Sequence, residues 1–357
     1  MKLRIISFTK NGLELSKRIA FCCNNDDTND IELFTKCSNL SDSDLMDIQL
    51  VNESIGQWTK EQMEKKYAIL FIGACAIAVR AIAPFVTDKL HDTPVLVMDE
   101  LGRYIIPILS GHVGGANEIA VRLARMTDAL PVITTATDIN GKFAVDLFAK
   151  KNGLEIVNKD GIAKVSSKVL SGKEIVISIE CGHIDENLKV PYGIKIVPYP
   201  PKQSVDVIIS TKDTKYEAAL YLKPMEYVIG MGCKRGKETY KIDEFICNII
   251  KKNGISKNQI YALASIDIKK NEEGLNSFCR KENIPFLTFS ANNLQNIDGS
   301  FSSSDFVKEK TGVDNVCERA AVKACGENGK LVCKKYAHDG MTIAIAKRDW
   351  RISFDEK

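Results

Sequence analysis

The sequence predicts a multi-domain α/β protein whose mostly parallel sheets are flanked by helices, arranged as N-terminal, middle and C-terminal regions. Three observations carry this. The chain has 357 residues, more than one ordinary hydrophobic core serves. Short continuous apolar runs recur at Tyr67–Ile72, Pro94–Asp99 and Tyr227–Ile229, as expected of strands buried on both faces. Small-residue turns follow several of them and lead into apolar positions at helical spacing, the βα unit of a parallel sheet.

Taken in order, Lys2–Phe8 predicts a first strand, Gly12–Ile19 a helix, Ile31–Phe34 a second strand and Ile55–Lys66 a helix carrying Trp58 and Met63. Tyr67–Ile72 is a buried strand that runs through Gly73 into a helix with Arg80 on it. Ligands of open α/β sheets lie beyond the carboxyl ends of the strands, so Arg80 is placed one or two turns from a site. Strands at Pro94–Asp99, Tyr104–Ile108 and Pro131–Thr135 complete a domain over residues 1–140. A small middle domain over 141–225 holds a helix at Phe143–Asn152, strands at Glu174–Ile179 and Val205–Ser210, and Pro-rich loops. A third domain over 226–357 repeats the α/β pattern, with a strand from Tyr227 running into a Gly-rich turn at Gly230, strands at Tyr261–Asp267, Pro285–Ser290 and Met341–Ala346, and helices at Tyr240–Lys252 and from Cys317.

Composition narrows the function classes. Hydrophobic residues make up 45% and charged residues 27% of the chain, ordinary values for a globular protein. A net charge of +3 gives no general field for nucleic acid. No apolar run reaches ~18 residues, so no membrane span is expected. The opening strand lacks the apolar length of a secretion signal, and a cytoplasmic setting is expected. Eleven cysteines, an odd number without any C-x-x-C pair, read as reduced thiols rather than as disulfides or a metal site.

The chemistry concentrates in Leu109-Ser110-Gly111-His112-Val113-Gly114-Gly115-Ala116-Asn117-Glu118. An apolar segment precedes it, and Ile119, Ala120, Leu123 and Ala124 follow at helical spacing. Gly111, Gly114 and Gly115 permit positive φ and close approach of a ligand to the backbone. Asn117 is the expected N-cap, and free N–H groups at the helix start would suit an anion. Ser110, His112 and Glu118 add a hydroxyl, an imidazole and a carboxylate, with His112 the acid/base candidate. An ordinary strand-to-helix connection would use the same residues as caps. A second Gly-rich turn, Gly230-Met231-Gly232-Cys233-Lys234-Arg235, has neither Walker A nor Rossmann spacing. It offers a flexible backbone at Gly232 and two cations, Lys234 and Arg235, at a strand end, suited to carboxylates. Cys233 would be a nucleophile only with a base beside it. Ser265 and Lys269 stand at a third strand end with Glu272 and Glu273. His91, His183 and His338 have no comparable surroundings, and His338-Asp339-Gly340 reads as a turn.

The Leu109–Glu118 stretch resembles the central motif of the CbiG family of anaerobic cobalamin biosynthesis. Gly230–Gly236, Ala264–Lys269, Phe289-Ser290-Ala291, Val313–Ala321 and Thr342–Ala346 resemble further segments of the family, in register over most of residues 67–346. Residues 1–50 add little to the likeness. The resemblance implies a hydrolase that opens the δ-lactone of cobalt-precorrin-5A, with loss of acetaldehyde, to give cobalt-precorrin-5B. It implies no resident cofactor or metal, since the cobalt belongs to the anionic tetrapyrrole substrate, whose acetate and propionate groups suit the basic turns. On that basis His112 is expected to act as general base on water, oriented by Glu118 or Asp138, with amides around Gly114 and Gly115 stabilising the oxyanion. Ser110 is the rival as covalent nucleophile, although no Gly-x-Ser-x-Gly elbow is present. Arg80, Lys234 and Arg235 would hold peripheral carboxylates, with Gly111, Asn117, Gly232, Ser265 and Lys269 as further contacts. The expected partners are this substrate, a second copy of the chain and, transiently, neighbouring enzymes of the pathway. Two alternatives stand beside the hydrolase. One is a non-catalytic tetrapyrrole carrier, which has no need of the Ser110, His112 and Glu118 cluster. The other is a fusion in which only the C-terminal region binds pigment.

Overall fold

The computed structural model describes residues 2–23, 30–38, 40–41, 44–88, 92–112, 114–135, 141–184, 188–212 and 215–354. The chain divides into two compact units, Met1–Lys142 and Phe143–Lys357. Among the described residues no helix is long and apolar enough to cross a membrane.

The first unit is a seven-stranded sheet of order β3-β2-β1-β4-β5-β6-β7. Its strands are β1 (Lys2–Ser7), β2 (Asp30–Thr35), β3 (Ile48–Leu50), β4 (Ala68–Ile72), β5 (Val95–Met98), β6 (Tyr104–Leu109) and β7 (Leu130–Pro131). Helices α1 (Lys10–Cys23), α2 (Ile55–Glu64), α3 (Cys75–Ile82) and α4 (Ala116–Thr127) cover it. Alternation along each strand divides the apolar side chains between two faces. Leu3, Ile5, Leu70 and Leu96 pack with Leu13 and Ile19 of α1 and Leu123 of α4. Ile6, Ile69, Phe71 and Val97 pack with Trp58 and Met63 of α2 and Ile82 of α3. Strands β1 to β5 are parallel. β6 runs antiparallel to β5, and β7 runs parallel to β6. The strand expected over Pro131–Thr135 pairs only at its start. Pro131 has no N–H to donate, and one further bond, Val132 N–H to Ile105 O, continues the contact. β3 is an edge strand that the polar sequence around it did not announce.

The second unit holds two sheets. The middle sheet, of order β10-β9-β11-β12-β8, contains β8 (Leu154–Ile156), β9 (Ile175–Ile179), β10 (Ile194–Pro198), β11 (Val205–Ile209) and β12 (Ala218–Pro224), with α5 (Val145–Lys151) and α6 (Asp160–Leu170). Only β8 is antiparallel to its neighbour. The C-terminal sheet, of order β15-β14-β13-β17-β16, contains β13 (Tyr227–Cys233), β14 (Ile260–Ile266), β15 (Phe286–Phe289), β16 (Lys330–His338) and β17 (Met341–Lys347). Its helices are α7 (Thr239–Lys252), α8 (Glu273–Glu282), α9 (Ala291–Gln295), α10 (Asp305–Thr311) and α11 (Cys317–Cys325). β13 to β15 are parallel, while β17 runs antiparallel to β13 and forms a hairpin with β16. The hairpin closes through Asp339 and Gly340, both at positive φ, which is the two-residue turn that matches strand twist.

Two contacts fix α11 against this sheet. A Cβ on Gly230 of β13 would stand 1.8 Å from the Cys317 carbonyl oxygen, so the close approach of helix and strand requires glycine there. Glu318, fully buried on α11, accepts from the N–H and hydroxyl of Ser302, from Asn315 Nδ2 and from the Lys335 N–H. Lys335 lies where the β16–β17 register shifts, so the carboxylate satisfies an amide that the bulge takes out of the ladder.

A C-terminal strap over residues 348–354 lies on the middle region. Arg348 Nη1 donates to Met225 O at 2.9 Å. Trp350 stacks on His183 at 3.6 Å, and the His183 Nδ1 lies 2.8 Å from Trp350 O. Asn152 and Ser353 exchange two hydrogen bonds at 2.8 and 2.9 Å. Phe354 packs against both Phe143 and Phe148, which also touch each other.

A Gly230→Ala variant is expected to lose ~3 kcal/mol, because its new methyl meets backbone rather than a movable side chain; a urea midpoint equal to that of the parent would contradict this close packing. On the outer face, Asp243 of α7 bonds Lys257 and Lys281. Burial pushes its carboxyl up, but these ammonium groups outweigh burial and hold it down at about 2. A carboxyl depressed in the folded state stabilises fully above the ordinary carboxylate range, and that stabilisation is lost as pH falls through about 2. Asp243→Asn is therefore expected to be less stable near neutrality and to converge with the parent towards pH 2, read from denaturation midpoints across that range.

Candidate active site

The Ser110–Glu118 turn sits at the carboxyl end of β6. Because β6 is antiparallel to β5, with Leu109 opposite Val95, this is the amino end of the parallel set. The sequence had placed ligands at the carboxyl ends of those strands, where α3 begins. Arg80 instead lies in the last turn of α3, exposed. Among the described residues no hydrogen bond or ion pair joins it to the turn.

Ser110 adopts the left-handed backbone conformation, with φ 56°. Its hydroxyl donates to the Asp92 carbonyl oxygen at 2.7 Å. Asp92 is buried, and its Oδ1 accepts the N–H and the hydroxyl of Thr87 at 2.9 and 2.8 Å. The segment entering β5 is thus fastened to the turn. Gly114 has no alternative: a Cβ there would stand 2.4 Å from the Ser110 Cβ. Gly111 backs onto the Asn117 side chain, whose Oδ1 would lie 2.8 Å from an added Cβ.

The expected N-cap is corrected. Gly115, at φ 87°, caps α4 without a side-chain bond, and Asn117 is already helical. Loop carbonyls take the first-turn amides: Gly115 N–H bonds His112 O, Ala116 N–H bonds Ser110 O and Asn117 N–H bonds Gly111 O, all at 3.0–3.1 Å. These amides are committed to the turn rather than held open for an anion, and the Gly114 amide takes no part in the set. The Asn117 side chain reaches out of the turn, its Nδ2 donating to Thr135 Oγ1 at 3.2 Å. His112 is half-buried and Glu118 is exposed in the first turn of α4, where a carboxylate suits the helix dipole. Asp138 and His91 lie outside the described residues.

The Gly-rich turn expected over Gly230–Arg235 is corrected: Gly230 to Cys233 belong to β13, paired with β17, and the basic turn starts only at Lys234. Gly232 packs closely on Thr342, whose Oγ1 would lie 2.8 Å from an added Cβ. Lys234 and Arg235 are exposed. Lys269 is not presented in the same way. Its Nζ bonds Glu272 Oε2 at 2.8 Å, and Glu272 Oε1 accepts the Gly236 N–H at 2.6 Å. Burial would raise the Glu272 carboxyl, but the Lys269 ammonium and the Gly236 amide hold it below its ordinary value. Lys269 and Glu272 therefore brace two turns together. Ser265, expected at the ligand, is fully buried and donates its hydroxyl to Met231 O at 2.7 Å inside the sheet. Burial pushes the Cys233 thiol up to about 11, against Lys269, so it is protonated at neutral pH and is no ready nucleophile. None of the eleven cysteines is in a disulfide. Among the described residues no group of three His, Cys, Asp or Glu side chains could hold a metal ion. Asp92 and Thr87 were not singled out from sequence, and Glu272 was named only among the mixed charges beside Lys269, since nothing in its spacing separates a bracing carboxylate from a solvated one.

Known proteins resemble this chain along its length. Profiles of the Cobalamin synthesis G N-terminal, the Cobalamin biosynthesis central region and the Cobalamin synthesis G C-terminus match residues 57–138, 143–224 and 227–346. A cobalt-precorrin-5A hydrolase of Priestia megaterium is 29% identical over 361 residues, covering 97% of this chain and 95% of that protein. A protein of the same name from Salmonella typhimurium is 31% identical over 288 residues, covering 78% and 81%. A solved cobalamin biosynthesis protein G homologue from Sulfolobus solfataricus is 24% identical, with a TM-score of 0.40 and 97% of each chain covered.

Comparing Ser110→Gly with Ser110→Ala separates backbone from hydroxyl. Both lose the bond to Asp92, but only alanine keeps the unfavourable left-handed conformation, so Ala is expected to be the less stable by ~1 kcal/mol. Equal denaturation midpoints would remove the strain assigned to this position.

Proposed function

The chain belongs to the CbiG family, and on that premise we propose that it is a cobalt-precorrin-5A hydrolase. It opens the δ-lactone of cobalt-precorrin-5A with loss of acetaldehyde, giving cobalt-precorrin-5B. The observation that carries this is the near end-to-end match to a protein of that name. The cobalt travels with the substrate. Eleven cysteines, none of them in a disulfide, support a cytoplasmic setting.

In this reading His112 accepts a proton from the attacking water and returns it to the departing lactone oxygen. Glu118 or Asp138 orients the imidazole. The oxyanion role falls to the Gly114 amide, since the Gly115 N–H is bonded to His112 O. Attack by water is favoured over attack by Ser110, whose hydroxyl is given to the Asp92 carbonyl. Gly111 and Asn117 shape the turn. Arg80, Lys234 and Arg235 take substrate carboxylates, Arg235 through its bidentate fork.

Acetaldehyde release from anaerobically prepared cobalt-precorrin-5A tests the proposal, with wild type and His112→Ala side by side. Wild type is expected to release it, and the variant to bind pigment but react ~10²–10⁴-fold more slowly. Pigment binding without release above the uncatalysed rate would favour a carrier. Unchanged release by the variant would remove His112 from the chemistry.

A further inference from the structure

The carboxyl end of the C-terminal sheet sorts its cations into two kinds. Lys237 is closed off by Asp339, whose carbonyl and Oδ2 both lie 2.7 Å from its Nζ. Lys269 is closed off by Glu272, which also takes the Gly236 amide. These bonds lock the turn after β13 to the turn after β14 and to the tip of the β16–β17 hairpin. Lys234 N–H to Gly340 O, at 2.9 Å, adds a further link. Lys234 and Arg235 project from this braced platform with no ion pair among the described residues.

Two large apolar side chains stand exposed nearby in the chain, one in the turn after β14 and one at the start of α7. Ile268, between Asp267 and the braced Lys269, is 64% exposed, and Tyr240, in the first turn of α7, is 62% exposed. Turn tips ordinarily carry small or polar residues. Two cations without ion pairs among the described residues, an exposed isoleucine and a tyrosine ring that carries the Lys241 ammonium at 5.6 Å, on a rigid base, complement an amphipathic anion: an apolar body with carboxylates at its edge.

We propose that this platform docks the tetrapyrrole substrate, with Ile268 and Tyr240 against the apolar macrocycle and Lys234 and Arg235 on its peripheral carboxylates. The proposal rests on the hydrolase reading for the identity of the occupant, and its own content is the pair of apolar contacts. Burying an isoleucine on a ligand contributes enough for about a tenfold effect on affinity.

The test compares Ile268→Asp and Tyr240→Ser with Phe306→Asp, which removes an equally exposed apolar group from α10. Direct absorbance titration with anaerobic cobalt-precorrin-5A gives Kd, and acetaldehyde release gives KM and kcat. The two platform variants are expected to raise Kd and KM about tenfold, leaving kcat within about twofold, while Phe306→Asp changes neither. Parent-like Kd in both platform variants would overturn the proposal, as would an equal loss in Phe306→Asp. If the parent releases no acetaldehyde, the hydrolase reading fails while the titration still decides the platform. Circular dichroism of each variant separates lost docking from lost fold.

Discussion

The direction of β6 governs the candidate site. Had it run with β5, the Ser110–Glu118 turn would have emerged beside Gly73 and the start of α3. Running against β5, it emerges beside Asp92, at the amino end of the parallel set. Three segments then meet: the end of β6, the segment entering β5 and the chain leaving β7, reached by Asn117 through Thr135. The turn still follows the carboxyl end of a strand with a parallel neighbour, since β6 and β7 are parallel to each other, which is the kind of place where open sheets hold ligands.

What was legible in the sequence was local. The turn's glycines were visible as glycines, and Gly114 proves to be one for the reason glycines are kept, a Cβ having no room there. Buried parallel strands such as β4 and β5 announced themselves by unbroken apolar runs. Pairing direction did not, since periodicity records which residues are buried and not which neighbour they face. β16 was missed because an edge strand can alternate Lys with Val and Tyr and look like a solvated loop. Asn117 looked like a cap, yet carbonyls of residues 110–112 take the amides a side chain would have taken. Lys269 and Lys234 are indistinguishable as letters; only the position of Glu272 makes one a brace.

The two basic and glycine-rich turns thus differ in kind. The first spends its polar groups on its own shape: a serine fastened to a neighbouring loop and three amides held by carbonyls. Its imidazole belongs to a residue whose carbonyl is one of those that hold the amides. The second is held rigid by two ion pairs, which leaves two other cations unneutralised. Preorganisation of this sort lowers the ordering cost of binding a polyanion.

The C-terminal strap has a consequence for how the polypeptide is made. Asn152 exchanges its hydrogen bonds with a residue 201 positions further along. At ~5–20 residues per second of synthesis, the middle region stands without its strap for ~10–40 s after Asn152 leaves the ribosome. During that interval Phe143 and Phe148 lack the ring of Phe354 that covers them in the finished chain. The last residues of the strap thus complete an aromatic cluster whose other members were made about two hundred residues earlier.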